Sequence, residues 1–254
     1  MSATAAIQSN TALRSRSKLP AKPQRLASPC STCFLQGVCL PCTLEGNEID
    51  RFGNLVTGKR RVARGSALFQ VGDELQYVYA VCSGAFKTVI VSSHGDETIT
   101  GFHLAGDLMG LEAISGGRHG CQAIALEDSE ACAIPFAALS SLALALPQLQ
   151  QQMFRMLSSE ITRDQGLIVR LGSMTAEQRL AAFLLSLSSR YQRLGFAADR
   201  FVLRMTREEI GSYLGLTLET VSRLFSRFQQ EGLLVVRHRE VTLDDIERLR
   251  RIAG

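Results

Sequence analysis

Residues 205–234 read MTREEIGSYLGLTLETVSRLFSRFQQEGLL, two amphipathic helical segments with a tight turn between them. Thr206 and Glu209 form a Thr-x-x-Glu capping box that starts the first helix. Gly215 ends it, and Thr217 caps the second. The inner face is Ile210, Leu214, Leu216, Val221 and Leu224. Gly211 lets the two helices approach, and Gly215 suits a turn that needs positive φ. This matches the helix-turn-helix pattern at each position that packing constrains. An ordinary helical hairpin is the plain alternative, and the joint presence of Gly211, Gly215 and Val221 argues against it.

The outer face of the second helix carries polar side chains suited to reading bases. Glu219, Ser222 and Arg223 lie near its N-terminus, one turn apart. Arg can donate two hydrogen bonds to guanine, Glu can accept from cytosine, and Ser can meet a base or a phosphate. Arg207 and Arg227 are expected on phosphates, and the cap Thr217 joins them as a candidate contact. Glu219 and Arg223 could also form an i,i+4 surface ion pair, which is compatible with reading. LLVVRHREVTL, 233–243, reads as a β-hairpin, the wing of a winged helix.

Working towards the N-terminus, Thr175 starts a helix with inner face Leu180, Phe183, Leu184, Leu187 and Tyr191, ending near Gly195. A short strand is expected at 201–203. Pro147 opens a long helix over 147–173. A heptad runs through it at Phe154, Leu157, Ile161, Asp164, Ile168 and Leu171, the spacing of a coiled-coil seam. The carboxylate is the exception. Either Asp164 faces its twin across a homodimer and keeps association marginal, or the helix rotates and places Gln165 or Gly166 nearer the axis. Residues 51–146 hold short glycine-punctuated strands, with a pair around Ser83-Gly84, the pattern of an antiparallel roll or sandwich.

The chain has 254 residues, 46% of them hydrophobic and 20% charged, with a net charge of +4. It is long enough for two domains, has no apolar run of membrane-spanning length, and is basic enough to permit nucleic acid as partner. Residues 1–29 carry Arg14, Arg16, Lys18, Lys22 and Arg25 with no acid, and read as a disordered basic tail rather than a transit peptide. Without a secretory signal, a reducing, cytoplasmic compartment is expected, where clustered cysteines point to metal or redox chemistry. Four of the seven cysteines fall in CSTCFLQGVCLPC, 30–42. From spacing alone, a zinc site closed by Cys30, Cys33, Cys39 and Cys42 and an iron–sulfur site are comparable. Cys82 and Cys121 read as small core hydrophobes. No Ser/His/Asp set or phosphate loop is present, and Cys30-x2-Cys33 lacks the strand-to-helix setting of a dithiol oxidoreductase, so the chain is not read as an enzyme.

The order of these parts resembles the cyclic-AMP receptor protein/FNR superfamily of bacterial transcription factors over residues 30–250. GSALFQVGDELQYVYAVCSG (65–84) is similar to its β-roll signature. GDETITGFHLAGDL (95–108), EDSEACAIPF (127–136), EQRLAAFLLSLSSR (177–190) and the 205–229 stretch resemble the FNR (fumarate and nitrate reductase regulator) subfamily, as does C-x2-C-x5-C at Cys30, Cys33 and Cys39. The implied fold is α+β: a tail at 1–29, a cysteine segment and cyclic-nucleotide-binding-like β-roll at 30–146, a dimerisation helix at 147–173, and a winged helix-turn-helix at 174–254. The resemblance implies an oxygen-labile [4Fe-4S] cluster on Cys30, Cys33, Cys39 and Cys132, with Cys121 the runner-up for the fourth ligand and Cys42 left over. It implies Glu219, Ser222 and Arg223 as readers of TTGAT half-sites, a homodimer when cluster-loaded, contact with RNA polymerase, and activation of anaerobic respiration genes. A zinc-bound or cyclic-nucleotide-responsive regulator of the same fold is the alternative. No cyclic nucleotide is expected, because Glu112 and Arg118 fall outside the places such a pocket needs and Cys121-Gln122-Ala123 replaces its last part. Phe34, beside Cys33, is expected either to shield the cluster or to pack on the roll.

Overall fold

The computed structural model describes residues 30–92 and 95–254; the basic segment 1–29 lies outside the described residues. Two short 3-10 turns, Cys30–Thr32 and Leu40–Thr43, lead into α1 (Asn47–Gly53). Eight strands follow: β1 (Gly58–Val62), β2 (Ala67–Phe69), β3 (Tyr77–Ser83), β4 (Ala85–Val91), β5 (Glu97–Leu104), β6 (Leu108–Met109), β7 (Gln122–Ala125) and β8 (Ser129–Pro135). They make two antiparallel sheets, ordered β1-β8-β3-β6 and β2-β7-β4-β5.

β3 and β4 are consecutive in sequence yet lie in different sheets. The chain crosses at Gly84, whose φ is +80° and where a Cβ would stand 2.1 Å from Ser129 Oγ. Only glycine meets both conditions. Ser129 Oγ accepts the Ala85 N–H at 3.1 Å, which ties the crossing to β8.

The cysteine segment is docked, not trailing. Leu40, Leu44, Ile49 and Phe52 bury themselves against Val78, Ala80 and Ile134 of the roll and Leu139, Leu142 and Leu149 of the helices beyond it. Each such side chain contributes about 1.5–3 kcal/mol of burial free energy.

α2 (Phe136–Ala145) follows β8 directly, and α3 (Pro147–Ser173) runs 27 residues, about 40 Å. Pro147 starts it as the sequence leads one to expect. α4 (Ala176–Arg193) begins at a full capping box of Thr175 and Gln178, and Gly195 follows its end with φ +83°. Then come β9 (Arg200–Val202), α5 (Arg207–Leu214), α6 (Leu218–Gln230), β10 (Leu234–Arg237), β11 (Glu240–Leu243) and α7 (Ile246–Ala253). The wing sheet is ordered β10-β11-β9.

The roll and the C-terminal domain share a core. Ala85, Val89, Ile99 and Phe102 of the roll belong to the same apolar cluster as Leu180, Phe183, Tyr213 and Val221. The Phe102, Phe183 and Tyr213 rings meet with centroids 5.1–6.0 Å apart. Polar links flank them: Lys87 Nζ donates to Glu209 Oε1 at 2.9 Å, Ile99 N–H to Ser212 Oγ at 3.2 Å, and Arg190 to Phe102 O at 2.8 Å and to Asp107.

Candidate metal centre and nucleic-acid interface

A small cavity lies between the N-terminal segment and the β8–β3 face of the roll. Cys30, Cys33, Cys39, Cys82 and Cys132 line it, with Leu35, Phe52 and Ile134 as apolar walls. Its lining exposes no polar atoms. Cys42, three residues past Cys39, does not line it. Cys42 instead faces a cleft of about 460 Å³ with Arg155, Arg163, Arg190 and Arg193. The local four-cysteine set that spacing allowed is therefore split between two cavities. Cys121 is also elsewhere, beside Glu112. Cys82 is buried, as its sequence leads one to expect, but it lines the same cavity as Cys132 rather than lying among hydrophobes alone, a placement its own sequence gives no sign of.

Burial and mutual proximity act against ionising most of these thiols. Burial pushes Cys30 to about 11 and Cys39 to about 12, with neighbouring cysteines adding to the rise. Cys132 is held protonated by its hydrogen bond to Cys82, by burial and by the other thiols. Cys82 is drawn the other way, because the Cys132 thiol and the Lys59 ammonium both favour its thiolate. Several buried thiolates together need a cation to be stable, which is what a metal centre supplies.

The donor set fits an iron–sulfur cluster in kind: four or five thiols, an apolar wall, and Lys59 at the edge. Among the described residues, no three His, Cys, Asp or Glu side chains close to the spacing of one metal ion. The free space is about 30 Å³, roughly one water's share of liquid. A multi-atom core therefore enters only if the Cys30–Cys39 segment parts from β3 and β8. Phe34 neither shields the cavity nor packs on the roll; it is 77% exposed while Leu35 turns inward.

The reading helix is built as its sequence specifies. Thr206 and Glu209 complete their capping box, Gly215 caps α5 with φ +62°, and Thr217 Oγ1 accepts the Thr220 N–H at 3.2 Å. A Cβ on Gly211 would stand 2.6 Å from the Leu216 carbonyl oxygen, so the close approach requires glycine. Val221, Phe225 and Phe228 are buried, leaving Glu219, Ser222, Arg223, Ser226 and Arg227 on the exposed face. Glu219 and Arg223 do not pair; Arg223 donates to Thr220 Oγ1 at 3.4 Å. Hydrogen bonds from its own backbone N–H and from Thr217 hold the Glu219 carboxyl below the usual range. Arg227 is tied to Glu231 at 2.8 Å and Glu177 at 3.1 Å, so a phosphate would compete with two carboxylates.

Arg207 departs from expectation. Its guanidinium lies 3.1 Å from the Phe225 ring centroid, and burial lowers its pKa to about 10. It packs under the reading helix as a cation on an aromatic face rather than reaching outward for phosphate.

On α3, Leu149, Met153, Met156 and Leu167 turn to the protein, while Phe154, Ile161 and Ile168 are 57–69% exposed. Asp164 and Leu171 share that outer side, and Leu157 is half-buried. The Asp164 carboxyl is raised above the usual range by partial burial, with Arg163 opposing. In the roll, Glu112 is bound to His119 Nδ1 at 2.8 Å, and Arg118 to Glu74 at 2.9 Å and Gly72 O at 2.8 Å.

Roll, long helix and winged reader together define a helix-turn-helix transcription regulator, not an enzyme. Residues 178–252 match the Crp-like helix-turn-helix domain, and residues 59–145 the cyclic nucleotide-binding domain. The chain is similar to the transcriptional regulatory protein btr of Bordetella pertussis, 48% identical over 237 residues, 93% of this chain and 97% of the relative. It is similar to the fumarate and nitrate reduction regulatory protein of Escherichia coli K12, 46% identical over 225 residues, 89% of this chain and 90% of the relative. Among solved structures it is similar to FixK2 of Bradyrhizobium japonicum, with TM-score 0.71 and 31% identity over 77% of this chain and 96% of that one. The chain belongs to the CRP/FNR superfamily and is an FNR-like DNA-binding regulator. Among the described residues, no helix is long and apolar enough to cross a membrane.

Proposed function

We propose that this regulator responds to oxygen through a [4Fe-4S] cluster held by Cys30, Cys33, Cys39 and Cys132, in the cytoplasm. The observation that carries the reading is the sorting of the thiols: these four face one cavity with Cys82, while Cys42 faces an arginine-lined cleft. When bound, the cluster supplies an oxygen-labile inorganic centre. The chain's own residues do the rest. Cys30, Cys33 and Cys39 provide thiolates from the N-terminal segment, and Cys132 provides one from an inner strand of a sheet. Leu35, Phe52 and Ile134 form the apolar walls that keep water from the cavity's inner side.

The same segment touches α3. Leu40 and Leu44 share a core with Met153 and Met156, and Thr43 Oγ1 donates to Gln148 O at 3.4 Å. Parting the segment from the roll therefore presses on the inner face of α3, and its outer face carries the seam. Closing Phe154, Leu157, Ile161, Ile168 and Leu171 on a second copy requires two Asp164 carboxylates to come together, which keeps the homodimer marginal without that push. A dimer presents two α6 helices about 34 Å apart, one turn of DNA, to a two-fold site with TTGAT half-sites. Glu219, Ser222 and Arg223 read the bases there, while Thr217 and Arg227 meet phosphates. RNA polymerase is the further partner, and genes of anaerobic respiration are the targets.

Anaerobically purified protein should be brown, carry iron and acid-labile sulfide in equal amounts, and bleach in air as it loses its grip on a TTGAT palindrome. A colourless protein with one tightly bound zinc selects the alternative centre. Micromolar binding of cyclic AMP by calorimetry selects a nucleotide-responsive one.

A further inference from the structure

The cavity holds one thiol more than a four-iron cluster takes. β3 and β8 are hydrogen-bonded neighbours, with Ala80 opposite Cys132. Side chains alternate along a strand, so Cys82, two residues beyond Ala80, faces the same side as Cys132. The register shifts between Val81 and Ser83, at Cys82 itself. A bulge of this kind re-aims one side chain. Here it brings the Cys82 sulfur within hydrogen-bond reach of Cys132, and both line the cavity. Lys59 stands opposite Cys132 on β1 and shares a hydrogen bond with Cys82.

We propose that Cys82 is a second roll ligand, offered to the same cluster corner as Cys132, so that either thiolate suffices to hold it. The proposal rests on the cluster reading above. Exchange between the two needs no movement of the strands, because both side chains line the one cavity and β3 and β8 are paired. Cys42 cannot serve in this way, since it opens on the other side of the Leu40–Thr43 turn, into the cleft with Arg155. A spare donor at the sheet corner leaves the three segment thiols indispensable and makes the fourth replaceable.

Full-length wild-type protein, Cys132→Ser, Cys82→Ser and the double variant are reconstituted anaerobically with ferrous iron and sulfide. Iron and acid-labile sulfide per chain are then measured, with far-ultraviolet circular dichroism as the check on folding. Both single variants should retain a cluster with an altered visible spectrum for Cys132→Ser, and the double variant should lose it. If the wild type loads and Cys132→Ser is as empty as the double variant, the proposal is overturned and the four-cysteine reading stands. If the wild type itself takes up no iron, the cluster reading fails and takes this proposal with it. Should Cys132→Ser not fold, Cys132→Ala, between Ala131 and Ala133 in β8, gives the same comparison.

Discussion

His103 is buried beneath α3 and meets Thr88 Oγ1 through Nε2 at 3.3 Å, while its Nδ1 has no hydrogen-bond partner among the described residues. Burial holds its imidazole at about 4, against an ordinary 6.5, with Asp107 pulling it up and Arg190 and Arg163 pushing it down. A histidine kept neutral in the fold favours the folded state above its unfolded pKa. That stability is lost as pH falls from about 6.5 through about 4. The full effect is roughly 3 kcal/mol at 1.36 kcal/mol per unit. His103→Gln, which does not titrate, should lose less stability than wild type between neutral pH and pH near 4. Equal losses in urea titrations would count against this origin. Arg207 teaches a different lesson at the same scale. A basic residue in the first turn of a reading domain looks like a phosphate contact, and nothing local in the sequence says that Phe225, on the next helix, will take its guanidinium. Cys82 was hidden for a related reason: its meeting with Cys132 depends on a strand pairing and a bulge, which are properties of the sheet rather than of either stretch.

Two helices carry the proposed regulatory surfaces. On α6, Arg223→Ala should cost about 1–3 kcal/mol at the half-site and relax discrimination at one base position. Arg227→Ala should weaken binding across all sequences and lower the salt slope by about one. Fluorescence-anisotropy titrations against matched and mismatched sites, at several salt concentrations, separate the two. On α3, Asp164→Ala should dimerise in air, whereas Ile161→Glu should stay monomeric even when anaerobic. Sedimentation of an air-exposed Asp164→Ala protein as a monomer would sink the electrostatic brake. These helices were legible because their signals are local: caps at Thr206 and Thr217, glycines at 211 and 215, proline at 147, and heptad spacing. α2 was not anticipated, since FAALSSLALA is apolar on nearly every side and gives no periodicity to read. α7 is short, and only its cap Asp245 and buried Leu249 mark it.

Across the molecule, the roll and the reader are held by aromatic packing and by Lys87–Glu209, both side chains less than one-fifth exposed. Lys87→Ala leaves the Glu209 carboxylate there without its cation, which is costlier than losing a surface pair. Calorimetry should then show a lower transition that begins to divide in two, and a single transition at the wild-type temperature would refute this coupling. The chain lays roll, long helix and reader end to end, and roll and reader meet in one core at Phe102, Phe183 and Tyr213. That shared core has a laboratory consequence. An excised reader, residues 175–254, would carry Phe183 and Tyr213 uncovered on its flank, a sticky patch prone to self-association. Footprinting and co-crystallisation with operator DNA therefore call for the roll and reader together, because Phe102 of the roll covers that flank.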